Sequence, residues 1–393
     1  MGNLQNLTEL LFYVNALSGT IPASLGTLVQ LRDFDFGANL LHGTIPHSLG
    51  NLTYVRQFFL DSNRLTGTVP DSLRHLTDMR YFYLRYNAFE GTVPAFLGQM
   101  TLMREIILYK NLFTGSLPAE LSNWVRAEYV SFGNNHITGT LPAFFSGMRE
   151  LQYLHLDANH LTGTVPEQYG LFPILQELLI YSNLLHGTLP AALSNISTLT
   201  VFLVQYNRFT GSLRGVFNAS TQSLLSTIKI NNNQLTGSLE PEIFNLPSVS
   251  VLVAGSNCFS GSIPDNVCMC STLTTLSLDG LSSASTCRRA LLPAVSNSYL
   301  INNAFSTTLL PCLFNMTSLN TLHLSGIGMT GTLPDTAISA MMADLVLSHN
   351  SLTGSIPTAF QLFDWYVLDL SYNMLGGTLN KAFTSGRFVQ GAN

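Results

Sequence analysis

Charge is scarce in this chain of 393 residues: Asp, Glu, Lys and Arg together make up 10%, against 46% hydrophobic residues. The net charge of −5 offers no basic surface to nucleic acid or to an anionic membrane. Long apolar runs are missing too, and none approaches the roughly 20 residues a membrane-spanning helix needs. Membrane attachment is therefore expected only through regions missing from this chain. Catalytic signatures are also lacking: there is no G-x-S-x-G, P-loop or H-E-x-x-H, and no G-x-G-x-x-G in a strand–helix context. His155 and Asp157 fall on one side of a strand, as do Asp33 and Asp35, but alternation alone produces such pairs. The chain therefore reads as non-enzymatic, with no cofactor and no metal. Cysteine is absent before Cys258, and all five cysteines fall between there and Cys312.

What is present is one stretch, repeated. Its clearest copy is Leu151 to Pro166, LQYLHLDANHLTGTVP. Leu154 and Leu156 alternate with His155 and Asp157, so a short strand turns its leucines inward and the others outward. Asn159 follows, then Gly163 at a tight backbone turn and Pro166 at the start of an extended segment. Asn recurs every 24 residues from Asn15 to Asn207, and sixteen frames can be counted to Asn373, fourteen of them with Asn. Leu281 and Ile327 take the other two Asn places. A fixed period of this length marks a solenoid, whose stacked units share one core. The Asn amide must be satisfied, and a ladder of bonds to turn backbone of its own and neighbouring repeats would do so. Leu25, Leu49, Leu73, Leu97 and Leu121 should anchor a short helical or 3-10 turn behind each strand.

The expected fold is thus an α/β solenoid of about sixteen repeats. It is a right-handed superhelix, or horseshoe, with a parallel β-sheet on the concave face and short 3-10 or helical turns on the convex face. Regular repeats are expected over 1–257, degenerate Cys-containing repeats of the same solenoid over 258–326, and regular repeats over 327–393. Met1-Gly2-Asn3-Leu4 aligns with Leu49-Gly50-Asn51-Leu52, so the chain begins inside a repeat, without signal peptide or cap. It also stops near Val389, where another strand should begin, and reads as a fragment of a longer protein.

The motif L-x-x-L-x-L-x-x-N-x-L-[ST]-G-[ST]-[LIV]-P resembles the plant-specific class of leucine-rich repeat. That class builds the ectodomains of receptor-like kinases and receptor-like proteins, and the polygalacturonase-inhibiting proteins. The T-G-T-[LV]-P flavour is also similar to promastigote surface antigens of kinetoplastid parasites. The resemblance covers nearly the whole chain and implies an extracellular or cell-surface protein that binds a protein, peptide or glycan ligand. It also implies two alternatives, a secreted inhibitor of a foreign hydrolase and an adhesive surface antigen. The paired-Cys caps, membrane span and kinase region of such receptors are lacking here. So is the Arg-x-Arg pair with which plant peptide receptors often read a peptide C-terminus.

Asn, Gly and Pro recur in nearly every unit and are structural; a site should be local. From the third to the ninth repeat the outward strand positions are unusually aromatic. They give a candidate ligand-binding set of Phe59, Tyr81, Tyr83, Arg85, Tyr109, Tyr129, Tyr153, His155, Asp157 and Tyr181, with Tyr86 and Tyr206 as further members of the enrichment. Tyr and Arg are the side chains that anchor interfaces. Arg32, Arg56, Arg80 and Arg104 occupy one place in four successive repeats, as a solvated rim ladder or as a strip for the carboxylates of an acidic partner. Sequons at Asn6, Asn51, Asn195, Asn218 and Asn315 are candidate glycosylation sites if the protein is secreted. Cys258, Cys268, Cys270, Cys287 and Cys312 cluster where the consensus weakens, as disulfides replacing lost contacts would. Their connectivity stays open, one thiol is left over, and C-x-C is not a zinc spacing.

Overall fold

The computed structural model describes residues 4–281 and 307–381. The chain divides into two compact units, Met1–Leu185 and His186–Asn393. The division falls inside the regular array, not at the edges of the cysteine-bearing stretch.

In the first unit eight short strands pair in parallel, each with the next in sequence. They are β1 (Glu9–Leu11), β2 (Asp33–Asp35), β3 (Gln57–Phe59), β4 (Tyr81–Tyr83), β5 (Glu105–Ile107), β6 (Tyr129–Ser131), β7 (Tyr153–His155) and β8 (Glu177–Leu179). The register is one repeat per step, with Tyr129 opposite Tyr153 and Ser131 opposite His155. A constant repeat length therefore stacks equivalent residues into rows about 4.8 Å apart. The inward row, Phe34, Phe58, Phe82, Ile106, Val130, Leu154 and Leu178, is fully buried. Its first three rings form a column, with centroids 5.1 Å apart between Phe34 and Phe58 and 5.7 Å between Phe58 and Phe82.

Each strand leads into a ladder Asn. Asn39 donates through Nδ2 to the carbonyls of Phe36 and Gly37 in its own turn, at 3.1 Å each, and to Phe12 of the preceding repeat at 2.8 Å. Its Oδ1 accepts the Leu17 amide at 2.9 Å. The expected ladder is thus present, and it closes backbone groups of two repeats with one side chain. The residue before the ladder Asn is left-handed throughout, including Tyr86 at φ 55° and Tyr206 at φ 56°. These two tyrosines stand on the turn after the strand, not on the strand itself.

The T-G-T segments build a second parallel sheet, from Ser18–Gly19 to His136–Thr138. Pro then sets the extended entry to a 3-10 turn, as at Pro46 (φ −64°) before His47–Asn51. The expected anchors Leu25, Leu49, Leu73, Leu97 and Leu121 sit in these turns and are 0–1% exposed. Successive turns approach closely: a Cβ on Gly98 would stand 2.2 Å from the Glu120 carbonyl oxygen.

The second unit repeats the plan with seven strands: β9 (Val201–Leu203), β10 (Thr227–Lys229), β11 (Val251–Val253), β12 (Thr275–Ser277), β13 (Thr321–His323), β14 (Asp344–Val346) and β15 (Val367–Asp369). The longer repeat before Asn233 absorbs its extra residues in a turn fastened by Gln222, which is 1% exposed and donates to the Leu193 carbonyl at 3.1 Å. Strand register is kept, with Thr227 opposite Val201.

The frame ending at Asn303, with Val295 and Leu300, lies outside the described residues, but β12 pairs directly with β13. Among the described residues the strands number eight and seven. The join explains itself physically. Leu281 is buried in the core where a ladder Asn would stand, and Asp279 takes over part of the ladder's work by accepting the Ser325 amide at 2.7 Å. The join is fastened by a disulfide between Cys268 and Cys312, whose Cα atoms are 5.7 Å apart. Cys258 is also disulfide-bonded, Cys270 is a free buried thiol, and Cys287 lies outside the described residues.

Candidate functional site

The outward face of the first unit consists of three rows. Tyr81, Glu105, Tyr129, Tyr153 and Glu177 start the strands, and Phe59, Tyr83, Ile107, Ser131, His155 and Leu179 end them. The third row runs just beyond, through Asp61, Arg85, Tyr109, Gly133, Asp157 and Tyr181. It is tied by backbone bonds such as Ala158 N to the Tyr181 carbonyl at 2.9 Å.

At the sixth repeat two rows carry small residues, Ser131 and Gly133, between large neighbours. A cavity of about 300 Å³ opens there. Arg85, Tyr109, Tyr129, His155, Asp157 and Tyr181 line it, so six of the ten candidate residues come together. Tyr86, Ile107, Ser131 and Leu179 complete the lining. Ile107, Ser131 and Leu179 went unnoticed in the sequence because they are neither aromatic nor charged. The available signal was the pair of small residues beside a run of tyrosines.

Phe59, Tyr81, Tyr83 and Tyr153 lie outside the cavity lining. Phe59 stacks on Tyr83 with centroids 4.3 Å apart. Tyr83 donates its hydroxyl to Glu105, and burial, then that carboxylate, pushes its ionisation upward. Tyr153 lies 5.2 Å from Tyr129, centroid to centroid, and its hydroxyl donates to Gln176 Oε1 at 3.3 Å.

Within the cavity the polar groups are held by one another. The Tyr129 hydroxyl is 3.1 Å from His155 Nδ1, and His155 Nε2 is 2.9 Å from Glu177 Oε2. A carboxylate accepts only, so Nε2 carries a proton, and in the neutral ring Nδ1 accepts from Tyr129. Burial holds the His155 pKa below its ordinary value and outweighs the pull of Glu177 in the other direction. Burial thus favours the neutral imidazole. Asp157 is 3% exposed, and burial raises its carboxyl above the ordinary range even though the Tyr181 hydroxyl donates to it. Tyr181 is pushed upward in turn, by burial and then by Asp157. Arg85 is 3.5 Å from Asp61 and keeps its side chain 45% exposed at the far end of the cavity.

The arginine ladder stands beside this face. Arg104 is paired with Glu128 and lies 3.4 Å from Glu150. Among the described residues Arg32, Arg56 and Arg80 form no ion pair within 4.0 Å. The candidate glycosylation residues Asn6, Asn51, Asn195, Asn218 and Asn315 are all exposed. Asn51 and Asn195 each close a 3-10 turn, and Asn315 ends the short helix Cys312–Asn315, away from the strand faces.

The leucine rich repeat family model matches residues 343–363. No curated protein sequence matches the chain. Among solved structures, the plant peptide hormone receptor RGFR1 in complex with RGF2 superposes with a TM-score of 0.82 at 28% identity. That match covers 96% of this chain and 61% of the receptor chain. A TDR receptor gives a TM-score of 0.84 at 25% identity, covering 97% and 62%. The Arabidopsis receptor kinase HAESA, in complex with the peptide hormone IDA and the co-receptor SERK1, gives 0.77 at 25% identity, covering 97% and 64%. The chain therefore spans a little over three fifths of these solved chains. With the repeat motif carried through both units, the chain is a leucine-rich-repeat protein of the plant-type class, similar in fold to receptor-kinase ectodomains.

Proposed function

We propose that this chain is a non-catalytic recognition module that binds a peptide or protein segment along the exposed face of β4 to β8. The observation that carries the reading is the cavity of about 300 Å³ that opens in the aromatic face. A pocket of that size accepts one or two side chains of an extended segment, and ordered tyrosines around it supply contact area at low entropic cost. Similar chains are solved with peptide hormones bound, RGFR1 with RGF2 and HAESA with IDA. The reading places the chain outside the cell or at its surface. The Cys268–Cys312 disulfide and the exposed sequons support that placement.

The test is selection from a random linear peptide library on the full chain, set against the Tyr109→Ala/Tyr129→Ala variant. Both tyrosines point outward, so the variant should keep its circular dichroism. Enrichment on the wild type and its loss on the variant is the expected result. Peptides enriched equally on both would move the site elsewhere, and no enrichment on either would remove the peptide reading.

A further inference from the structure

The cavity is polarised along its length. Asp157 stands at one end and Arg85 three repeats away at the other, about 14 Å by strand spacing. Arg85 faces Asp61, but the Asp157 carboxylate has no cationic partner within 4.0 Å among the described residues. Its position is set by the missing side chain of Gly133: a Cβ there would stand 2.7 Å from Asp157 Oδ1 and 3.0 Å from Oδ2. The carboxylate therefore lies flat over a glycine, on the cavity floor. Tyr109, Tyr129 and Tyr181 surround it. The one titratable neighbour that could bring positive charge, His155, is engaged by Tyr129 and Glu177, and its burial opposes protonation. A buried carboxylate without a cation is costly, and aromatic faces attract cations. The floor of this cavity is thus an anionic, aromatic-walled socket made ready for positive charge that the chain itself does not supply.

We propose that Asp157 is the specificity-determining counter-ion for a basic side chain, lysine or arginine, of the bound segment. The inference rests on the peptide-recognition reading and adds the chemistry of what enters. The ammonium or guanidinium would displace solvent above Gly133, pair with Asp157 and pack against Tyr109 and Tyr181. Arg85, at the opposite end, would face a carboxylate or carbonyl further along the segment and so fix its direction.

Peptides selected on the wild-type chain are resynthesised with each arginine replaced by citrulline and each lysine by norleucine. They are then titrated by calorimetry against wild type and Asp157→Asn. Asn keeps the shape of the carboxylate and a hydrogen-bond acceptor for Tyr181. Neutralising one particular basic residue should weaken binding to wild type by about tenfold or more, and binding to Asp157→Asn by much less, as a coupled pair requires. Selected peptides that bind without any basic residue would overturn the counter-ion proposal while leaving peptide recognition intact. So would an equal loss on wild type and variant. If no peptide is selected at all, both readings fall together. The folding control is thermal: Asp157→Asn removes a buried charge, so it should melt no lower than wild type, which a purely structural Asp157 would not allow.

Discussion

His155 Nε2 lies 2.9 Å from Glu177 Oε2, yet this histidine is harder to protonate than a free one, because burial outweighs the neighbouring carboxylate. A histidine whose folded pKa is depressed binds fewer protons folded than unfolded, so stability is full above the unfolded value near 6.5 and falls as pH drops below it. Melting temperature measured from neutral pH to about pH 5 should decline in wild type. The decline should be shallower in His155→Gln, which retains a donor toward Glu177. Identical slopes in the two proteins would show that His155 does not titrate as buried.

Asp157 acts in the opposite sense. Its folded pKa is raised, so its cost is present at neutral pH and is relieved as pH falls through the raised value toward 3.8. Asp157→Asn should therefore gain stability over wild type at pH 7 and lose that advantage in acid. A variant less stable than wild type at pH 7 would mean that the carboxylate has a compensating partner in solution.

The ladder should be sensitive one rung at a time. Asn135 is 6% exposed; it donates to the carbonyls of Leu108, Phe132 and Gly133, and its Oδ1 accepts the Phe113 amide at 3.0 Å. Asn135→Ala leaves these groups without a partner, at about 1–3 kcal/mol for each one that stays dry. Hydrogen exchange should show faster opening of β5 to β7, fading with distance because stacked repeats stabilise chiefly their neighbours. Uniform loss of protection over the first unit would instead show that the unit unfolds as one.

Reduction should act on the second unit. The Cys268–Cys312 bridge closes a loop of 44 residues, and Cys268→Ser/Cys312→Ser should cost about 2–4 kcal/mol. Cys270 is 5% exposed, with burial raising its thiol pKa, so iodoacetamide should label it only after unfolding. Rapid labelling of Cys270 in the native chain would contradict its burial.

Glycans on Asn51, Asn195 and Asn315 would stand on turns, not on the strand faces. Material from a secretory host should carry them, read as mass lost on enzymatic deglycosylation, and their removal should leave peptide binding unchanged. A change in affinity would place the ligand against the turns.

The solenoid was legible in the order of residues alone, because a repeat of constant length leaves little choice. Leu154 and Leu156 must turn inward, Asn159 must find backbone partners, and Leu49 must fill the turn behind the strand. All of these follow from period and polarity, and all are found in place. The sequence also pointed to the aromatic half of the array. Folding in three dimensions adds that Ser131 and Gly133 hollow out that face, that Asp157 lies buried over Gly133, and that His155 is buried between partners 26 positions before it and 22 after it, with burial favouring its neutral form. It likewise brings β12 directly against β13. Periodicity fixes which side of a sheet a residue faces, a property of one strand. Cavity, burial and proton position depend on the volumes and charges of neighbours one repeat away on either side, and those vary freely within the same frame.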